Sequence, residues 1–174
     1  MMNIVLIGYR GTGKSAVGEI LSAILGMRCI SMDAEIVKRA GMSIPKIVEK
    51  YGWQKFRDLE SEQALELSRA DNIVIDTGGG VIETPENIEA LKTNSCIFWL
   101  KASADEIVSR IQGDTERPSL TPGKTFIQEV REVLELRMPK YKSAAQYEID
   151  TDGLSPEQVA DMIVKIWNEL SKQG

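Results

Sequence analysis

A glycine-rich segment near the start of the chain carries the strongest chemical signal in the sequence. Residues 8–15 read Gly-Tyr-Arg-Gly-Thr-Gly-Lys-Ser and match the P-loop pattern G-x-x-x-x-G-K-[ST]. Backbone N–H groups of such a loop point at phosphate oxygens, the lysine reaches the β- and γ-phosphates, and the serine hydroxyl binds Mg²⁺. We therefore expect nucleotide phosphates and one magnesium ion here. The predicted nucleotide-binding residues are Gly11, Thr12, Gly13, Lys14, Ser15 and Ala16.

A carboxylate at the end of a later apolar run could support the same magnesium ion. Residues 73–76 read Ile-Val-Ile-Asp and look like the Walker B strand of P-loop proteins. Ligands of open α/β sheets bind at the carboxyl edge of the strands, where Asp76 should lie. We expect Asp76 to reach the ion through water, but the same residue could instead cap the following turn. Both interpretations remain open on the sequence alone.

Several charged residues and one glycine run could form a second pocket beside the γ-phosphate. Asp33 follows the second predicted strand, and Gly78-Gly79-Gly80 follows the third, where it permits close approach of a ligand. Arg57 is followed one helical turn later by Glu60, which could orient its guanidinium. In a net-acidic protein, Arg57 and Arg137 suggest two-point capture of a carboxylate.

The absence of histidine limits the choice of general base. The chain contains no histidine, so a general base must be a carboxylate, lysine, tyrosine or cysteine.

A polar segment late in the chain could cover the site. Residues 113–124 form this segment, which includes Pro118, Pro122 and Gly123. Segments of this kind are often functional, which predicts a mobile lid that carries Arg117.

Composition narrows the classes of partner. Of 174 residues, 43% are hydrophobic and 27% charged, and the formal net charge is −5. This is typical of one globular domain, residues 1–174, and no basic tract indicates binding to nucleic acid or to membranes.

Cys29 and Cys96 lie in short apolar runs and are interpreted as structural thiols. No signal peptide or membrane-spanning run is visible, so we expect a cytoplasmic protein, and we expect a monomer.

Strands and helices alternate along the chain and must position these residues. Each predicted strand is short and rich in Ile or Val, as in a parallel sheet that is buried on both faces. The alternation predicts an α/β fold, a doubly wound parallel sheet with helices on both faces. Residues 33–69 contain more than one helix, which is longer than a minimal crossover between two strands needs. The predicted strands are Ile4–Ile7, Arg28–Ser31, Ile73–Asp76, Ser95–Leu100 and Tyr147–Asp150.

Three classes of P-loop protein compete for this pattern. A GTP-binding switch would show D-x-x-G, which residues 76–79 satisfy, but also the guanine-selecting N-K-x-D element, which the sequence lacks. A motor or remodelling ATPase usually needs a longer chain and an evident interaction surface. A small-molecule kinase needs a second pocket beside the γ-phosphate and groups to cover it, and the residues above supply both.

Together these motifs resemble the shikimate kinase family. Members have an N-terminal P-loop, D-x-D after the second strand, F-R-x-x-E, G-G-G after the third strand, R-P-L-L in a lid and R-x-x-x-Y on the next helix. The order and spacing of the matches run over nearly the whole chain. The matching residues are Gly8–Ser15, Asp33, Phe56 and Arg57 with Glu60, Gly78, Gly79 and Gly80, Arg117-Pro118-Ser119-Leu120, and Arg137 through Tyr141.

The resemblance implies a P-loop NTPase fold with five strands in the order 2-3-1-4-5, in which the helices of residues 33–69 form the substrate-binding region. It implies MgATP-dependent phosphorylation of the shikimate 3-hydroxyl, within aromatic amino-acid (chorismate) biosynthesis. ATP and shikimate would be the partners, with Asp33 at the reacting hydroxyl. Shikimate would be held by Arg57, Arg137 and the backbone of Gly78, Gly79 and Gly80. Lys14 and Arg117 would act on the phosphates, and Arg110 and Pro156 would border the adenine. A related kinase of gluconate or nucleoside monophosphates, or a non-catalytic nucleotide-binding module, remains as an alternative.

The chain departs from the family pattern at one position near the magnesium ion. The first aspartate of D-x-D, which in the family contacts the ion through water, is replaced by Ser31. Family members usually have a small residue at the end of the third strand, where this chain has Asp76. We hypothesise that the carboxylate has moved from one strand end to the other, keeping the charge near Mg²⁺ constant.

Overall fold

Five parallel strands form the centre of the molecule. The computed structural model describes residues 2–111 and 123–172. The strands lie in the order β2-β3-β1-β4-β5, and all four pairings are parallel, which confirms the predicted sheet. Their bounds are β1 Asn3–Ile7, β2 Arg28–Ser31, β3 Ile73–Asp76, β4 Ser95–Lys101 and β5 Tyr147–Asp150.

The helices of the described residues alternate with the strands and cover both faces of the sheet. Among these residues, no helix combines the length and apolar character that a membrane crossing requires. A short 3₁₀ turn, Val81–Glu83, follows β3. The helices are α1 Lys14–Leu25, α2 Met32–Ala40, α3 Ile44–Leu67, α4 Pro85–Lys92, α5 Ala104–Ile111, α6 Phe126–Ala144 and α7 Pro156–Ser171.

Strand β1 shows why the sheet is buried on both sides. Successive strand residues point to opposite faces. Val5 and Ile7 belong to one apolar cluster, which includes Tyr141 of α6, and Ile4 and Leu6 belong to another, which includes residues of α1 and α7. These four apolar side chains of β1 are fully buried. The two clusters fix the sheet between its helical layers and hold its carboxyl edge in place.

Helices α2 and α3 form a smaller unit with a core of its own. Its apolar centre includes Ile36 of α2 and Ile47 and Phe56 of α3. Helix α3 is kinked at Gly52, whose backbone angles are not helical, so it consists of two consecutive helical stretches. The expectation of more than one helix in residues 33–69 is confirmed.

The starts of α7 and α5 are capped in different ways. Ser155 forms a reciprocal capping box with Gln158 at the start of α7. At α5, the Glu106 N–H donates to Ser103 Oγ at 3.2 Å, but the Ser103 N–H donates to Asp152 at 2.9 Å. Only half of a capping box therefore forms at α5, because a carboxylate from the loop after β5 binds the other donor.

Candidate active site

The P-loop links β1 to α1 and is held in shape by local contacts. Gly11 has a φ of 82°, and a Cβ atom there would lie 2.5 Å from Ile111 Cγ2. Only glycine fits this position, because other residues would meet both backbone strain and a steric clash. The Thr12 hydroxyl donates to the Tyr9 carbonyl at 2.9 Å and closes the turn. The first N–H groups of α1 therefore stand at the end of a tight loop, where anions bind.

Lys14 lies across this loop. Its Nζ donates to the Gly8 carbonyl at 2.8 Å and to the Tyr9 carbonyl at 3.0 Å. The residue is only 7% exposed. The ammonium charge is thus fixed over the loop, where it can stabilise charge that develops on a transferred phosphoryl group.

Ser15 and Asp76 form a paired oxygen site at the mouth of the loop. The Ser15 hydroxyl donates to Asp76 Oδ2 at 2.6 Å, and Asp76 is 5% exposed. Hydroxyl and carboxylate oxygens are suitable donors for Mg²⁺, which takes few protein ligands when substrate phosphates supply others. In the described part of the chain, no group of three Asp, Glu, His or Cys residues could hold a metal ion by itself. The pair therefore fits an ion that is shared with a nucleotide.

The register of the sheet places Ser31 beside this pair. Ser31 at the end of β2 is the direct partner of Asp76 in β3, and Asp76 is also the partner of Leu6 in β1. The Ser31 hydroxyl accepts from the Ala34 N–H at 3.3 Å and caps α2. Asp33 consequently lies in the first turn of α2, at the same edge of the sheet.

These groups line one cleft of about 580 Å³. The cleft brings Asp33 together with the P-loop, the two strand ends and the glycine turn after β3. The residues predicted to bind the nucleotide, to hold the metal ion and to act as general base therefore line the same cleft. Its lining includes Arg10, Lys14, Ser15, Ala16, Ser31, Asp33, Asp76 and Gly79.

Arg57 is fixed by α3 as the sequence predicts. Its Nη1 donates to Glu60 Oε1 at 2.7 Å, and the Glu60 side chain is fully buried. The guanidinium carbon also lies 5.5 Å from the ring centre of Trp53. A Cβ atom at Gly80 would overlap the Arg57 guanidinium. The glycine turn therefore admits an arginine at this point, whereas the sequence suggested only that it admits a ligand.

Arg137 of α6 approaches the same turn from the other side. Its Nε donates to Glu83 Oε1 at 3.1 Å, and its guanidinium carbon lies 5.8 Å from the Tyr9 ring centre. The Tyr141 hydroxyl donates to the Gly79 carbonyl and ties α6 to the turn. Arg57 and Arg137 line one pocket of about 570 Å³, so the structure brings together the two predicted carboxylate-binding arginines.

A third, smaller pocket lies on the far side of the P-loop. Arg110 Nη1 donates to the Gly11 carbonyl and to Thr151 Oγ1, both at 3.2 Å. Pro156 at the start of α7 lines the same pocket of about 250 Å³. Arg110 and Pro156 are thus both next to the P-loop, as expected for residues that border a nucleotide base.

The cysteines do not compete for the role of base or nucleophile. Burial raises the pKa of Cys29 to about 12 and that of Cys96 to about 11. Both are free thiols that remain protonated near neutral pH, in agreement with their interpretation as structural residues. Burial also raises the pKa of Tyr9 and of Tyr141. Among the candidate bases, carboxylates are favoured by these shifts.

The sequence did not single out three residues that shape the site. Glu83 binds Arg137, Thr151 binds Arg110, and Arg10 lines the phosphate cleft with its guanidinium carbon 5.6 Å from the Phe126 ring centre. Of these three residues, only Arg10 lies within a recognisable motif, at one of the variable positions of the P-loop. Arg117 and most of the predicted lid, residues 113–124, lie outside the described residues, which include Gly123 and Lys124 of that segment.

Comparison with known proteins connects this geometry to one family. Residues 10–168 match the family model described as shikimate kinase. A shikimate kinase of Caldicellulosiruptor bescii is 41% identical over 174 residues, covering 100% of this chain and 99% of the relative. One of Thermodesulfovibrio yellowstonii is 42% identical over 171 residues, covering 98% of each chain.

Solved structures show the same similarity. Shikimate kinase from Acinetobacter baumannii in complex with shikimate superimposes with a TM-score of 0.92 at 32% identity, covering 97% of this chain and 94% of that chain. Shikimate kinase from Aquifex aeolicus gives a TM-score of 0.82 at 31% identity, covering 99% and 100%. The sheet order and the similarity therefore agree over almost the whole length of the chain.

Proposed function

The chain belongs to the shikimate kinase family, and we propose that it transfers the γ-phosphoryl group of ATP to the 3-hydroxyl of shikimate with the residues described above. The observation that carries the proposal is the convergence of two different binding sites. A P-loop with its lysine lines one pocket together with Asp33, and a pair of arginines suited to a carboxylate lines a second pocket. The two pockets are adjacent at the glycine turn, because Gly79 lines the first and a Cβ atom on it would lie 3.7 Å from Arg137 Nη1.

In-line transfer requires little covalent chemistry from the protein. The transition state is loose, so positioning and charge stabilisation dominate. Lys14, held over the loop by two carbonyls, neutralises charge on the transferred group. Asp33 orients the substrate hydroxyl and accepts its proton. We assign no such role to the cysteines, because burial raises the pKa of each thiol.

The carboxylate clamp fixes the other end of shikimate. Arg57 and Arg137 present planar guanidinium groups, which can each bind a carboxylate through two parallel hydrogen bonds. The backbone of Gly78, Gly79 and Gly80 lies between the two arginines and supplies further polar contacts. This arrangement accounts for selection of an acidic substrate by a protein of net negative charge.

Magnesium would be held by Ser15 and, through water, by Asp76. When bound with ATP, the ion supplies positive charge that offsets the charge of the phosphates. The proposal is supported by the 2.6 Å separation of the two side-chain oxygens and by the burial of Asp76. Because Ser31 and Asp76 are register partners in adjacent strands, a carboxylate at either position would occupy the same part of the cleft edge. This supports the exchange of an acidic residue between β2 and β3.

The remaining assignments concern the lid, the adenine pocket, the cellular location and the oligomeric state. We propose from the sequence alone that Arg117 acts on the phosphates, and that the predicted lid covers the bound substrates. Arg110 and Pro156 would border the adenine, since both line the pocket next to the P-loop. A reducing cytoplasmic location agrees with two free thiols. A monomer is proposed from the sequence alone.

The substrate assignment is tested by comparing acceptors under identical conditions. ADP release from MgATP should depend on shikimate and stay near the background rate with gluconate or nucleoside monophosphates. Phosphorus NMR of the product should place the new phosphate on the 3-hydroxyl. ADP release that is stimulated by another acceptor but not by shikimate would overturn the proposal. If no acceptor raises ADP release above the background rate, the result would favour a non-catalytic nucleotide-binding module.

A further inference from the structure

Glu83 contacts the proposed clamp but has no role in the chemistry derived above. It ends the 3₁₀ turn that follows the glycine turn, and each of its two carboxylate oxygens binds a different cation of α6. Oε1 accepts from Arg137 Nε at 3.1 Å, and Oε2 accepts from Lys140 Nζ at 3.1 Å. The carboxylate therefore bridges two basic residues that are one helical turn apart.

The atom of Arg137 that Glu83 binds determines what remains for a ligand. A guanidinium group can meet a carboxylate along the edge formed by Nη1 and Nη2, or along the edge that includes Nε. Glu83 occupies Nε. A Cβ atom placed on Gly79 would lie 3.7 Å from Arg137 Nη1, so this nitrogen lies beside the glycine turn. The Nη edge thus lies where the proposed substrate would bind.

The surroundings keep Glu83 ionised and Arg137 confined. Partial burial raises the pKa of Glu83, but the ammonium of Lys140 and the guanidinium of Arg137 together lower it by more than burial raises it. The pKa of Glu83 therefore lies below its usual range. The Arg137 side chain is only 9% exposed, whereas those of Glu83 and Lys140 are 34% and 49% exposed. A buried guanidinium is thus oriented by a partly exposed carboxylate that is itself anchored by Lys140.

Resting on the carboxylate clamp proposed above, we infer that Glu83 is a positioning residue for shikimate recognition: it fixes Arg137 through Nε and directs the Nη edge of that arginine to the substrate carboxylate. Charge balance agrees with this role. In the pocket, Glu60 pairs with Arg57, and Glu83 offsets one of the two cations of α6. One net positive charge remains among these five side chains, which suits a substrate with a single carboxylate.

The test is the discrimination between shikimate and its uncharged methyl ester. We compare the ratio of kcat/KM for the two compounds in the wild type, Glu83→Gln, Arg137→Lys and the double variant. Glu83→Gln should lower the ratio roughly fivefold, the loss expected when one charge-assisted hydrogen bond is removed. Since both residues act through one contact, the double variant should be little worse than Arg137→Lys alone. The KM for ATP should not change.

Controls separate this role from a structural one. Glu86→Gln removes the same charge three residues further on, from an exposed position on α4, and should leave the ratio unchanged. If Glu83→Gln lowers only the melting temperature, or raises the ratio because Glu83 repels the substrate, the inference is wrong and the clamp still stands. If Arg137→Lys leaves the ratio unchanged, the clamp itself fails, and the role of Glu83 fails with it.

Discussion

The pocket around the P-loop and the neighbouring pocket proposed for shikimate, the nucleotide half and the shikimate half of the site, are built in different ways. In the nucleotide half, Lys14 is held by carbonyls five and six residues before it in the chain. In the shikimate half, Arg137 meets Glu83 across 54 positions of sequence, because α6 packs beside the glycine turn. The first arrangement is a local property of one loop, whereas the second exists only when α6 has packed beside the glycine turn.

This difference has a consequence for mutation. Replacement of a P-loop side chain removes a charge from the reaction without disturbing distant segments. Replacement of a residue in the clamp alters a contact between elements, so it can change both substrate affinity and packing. We therefore expect losses of kcat from the first half and losses of shikimate affinity from the second.

The largest effect is expected at Asp33, the proposed general base, which lines the P-loop pocket. Asp33→Asn should lower kcat by about 10²–10⁴, the usual range for an acid–base group, while ATP affinity stays close to normal. Steady-state kinetics with both substrates varied provide the measurement. Asp58→Asn, an exposed aspartate on α3, is the matched control and should leave kcat unchanged. Normal turnover in Asp33→Asn would show that Asp33 only stabilises the first turn of α2 and is not the general base.

Lys14→Ala should have the next largest effect. Loss of one charge contact to the transition state costs roughly 3–4 kcal/mol, or about 10²–10³ in kcat. Affinity for shikimate, measured by direct titration, should change little, because Lys14 contacts the P-loop carbonyls and not the clamp. Lys38→Ala, on the exposed face of α2, serves as the control. A folded Lys14→Ala variant with near-normal turnover would refute the proposed kinase mechanism.

The strand ends near the magnesium ion give a smaller effect with a specific rescue. Asp76→Ala should raise the Mg²⁺ concentration needed for ADP binding and for activity by about 10–100-fold, as is common for groups that support a metal ion. Adding Ser31→Asp should restore much of the loss, because the two positions are register partners. The rescue would be non-additive, as expected for groups that share one ion.

The competing interpretation of Asp76 gives a different result. If the carboxylate only stabilises the turn after β3, Asp76→Ala should lower the melting temperature and leave the Mg²⁺ dependence unchanged. The double variant would then show no rescue. A titration of ADP at several Mg²⁺ concentrations, next to a melting curve, distinguishes the two roles.

The sequence was sufficient for most of the fold and for the nucleotide half. Three of the five strands have the predicted bounds, β1 begins one residue earlier at Asn3, and β4 ends one residue later at Lys101. This accuracy has a physical reason, since short runs of Ile and Val between helical patterns have few alternatives in a buried parallel sheet. The P-loop is equally legible because its residues are contiguous.

The shikimate half was only partly predictable. Arg57 with Glu60 could be recognised because both lie on one helix, one turn apart. Glu83 could not, because an exposed glutamate after a glycine turn looks like any solvated residue until α6 brings Arg137 and Lys140 to it. In the nucleotide half, Thr151 was missed for the same reason, since its contact with Arg110 joins residues 41 positions apart.

The division of the cleft into two halves is tested most directly by titrating shikimate and ADP into the Arg57→Lys and Arg137→Lys variants. Lysine keeps the charge but cannot reproduce the two-point grip on a carboxylate, which should weaken shikimate binding by about 1 kcal/mol, or roughly fivefold. ADP binding should remain at the wild-type level in both variants. Equal weakening of both ligands, or no weakening of shikimate, would contradict the carboxylate clamp.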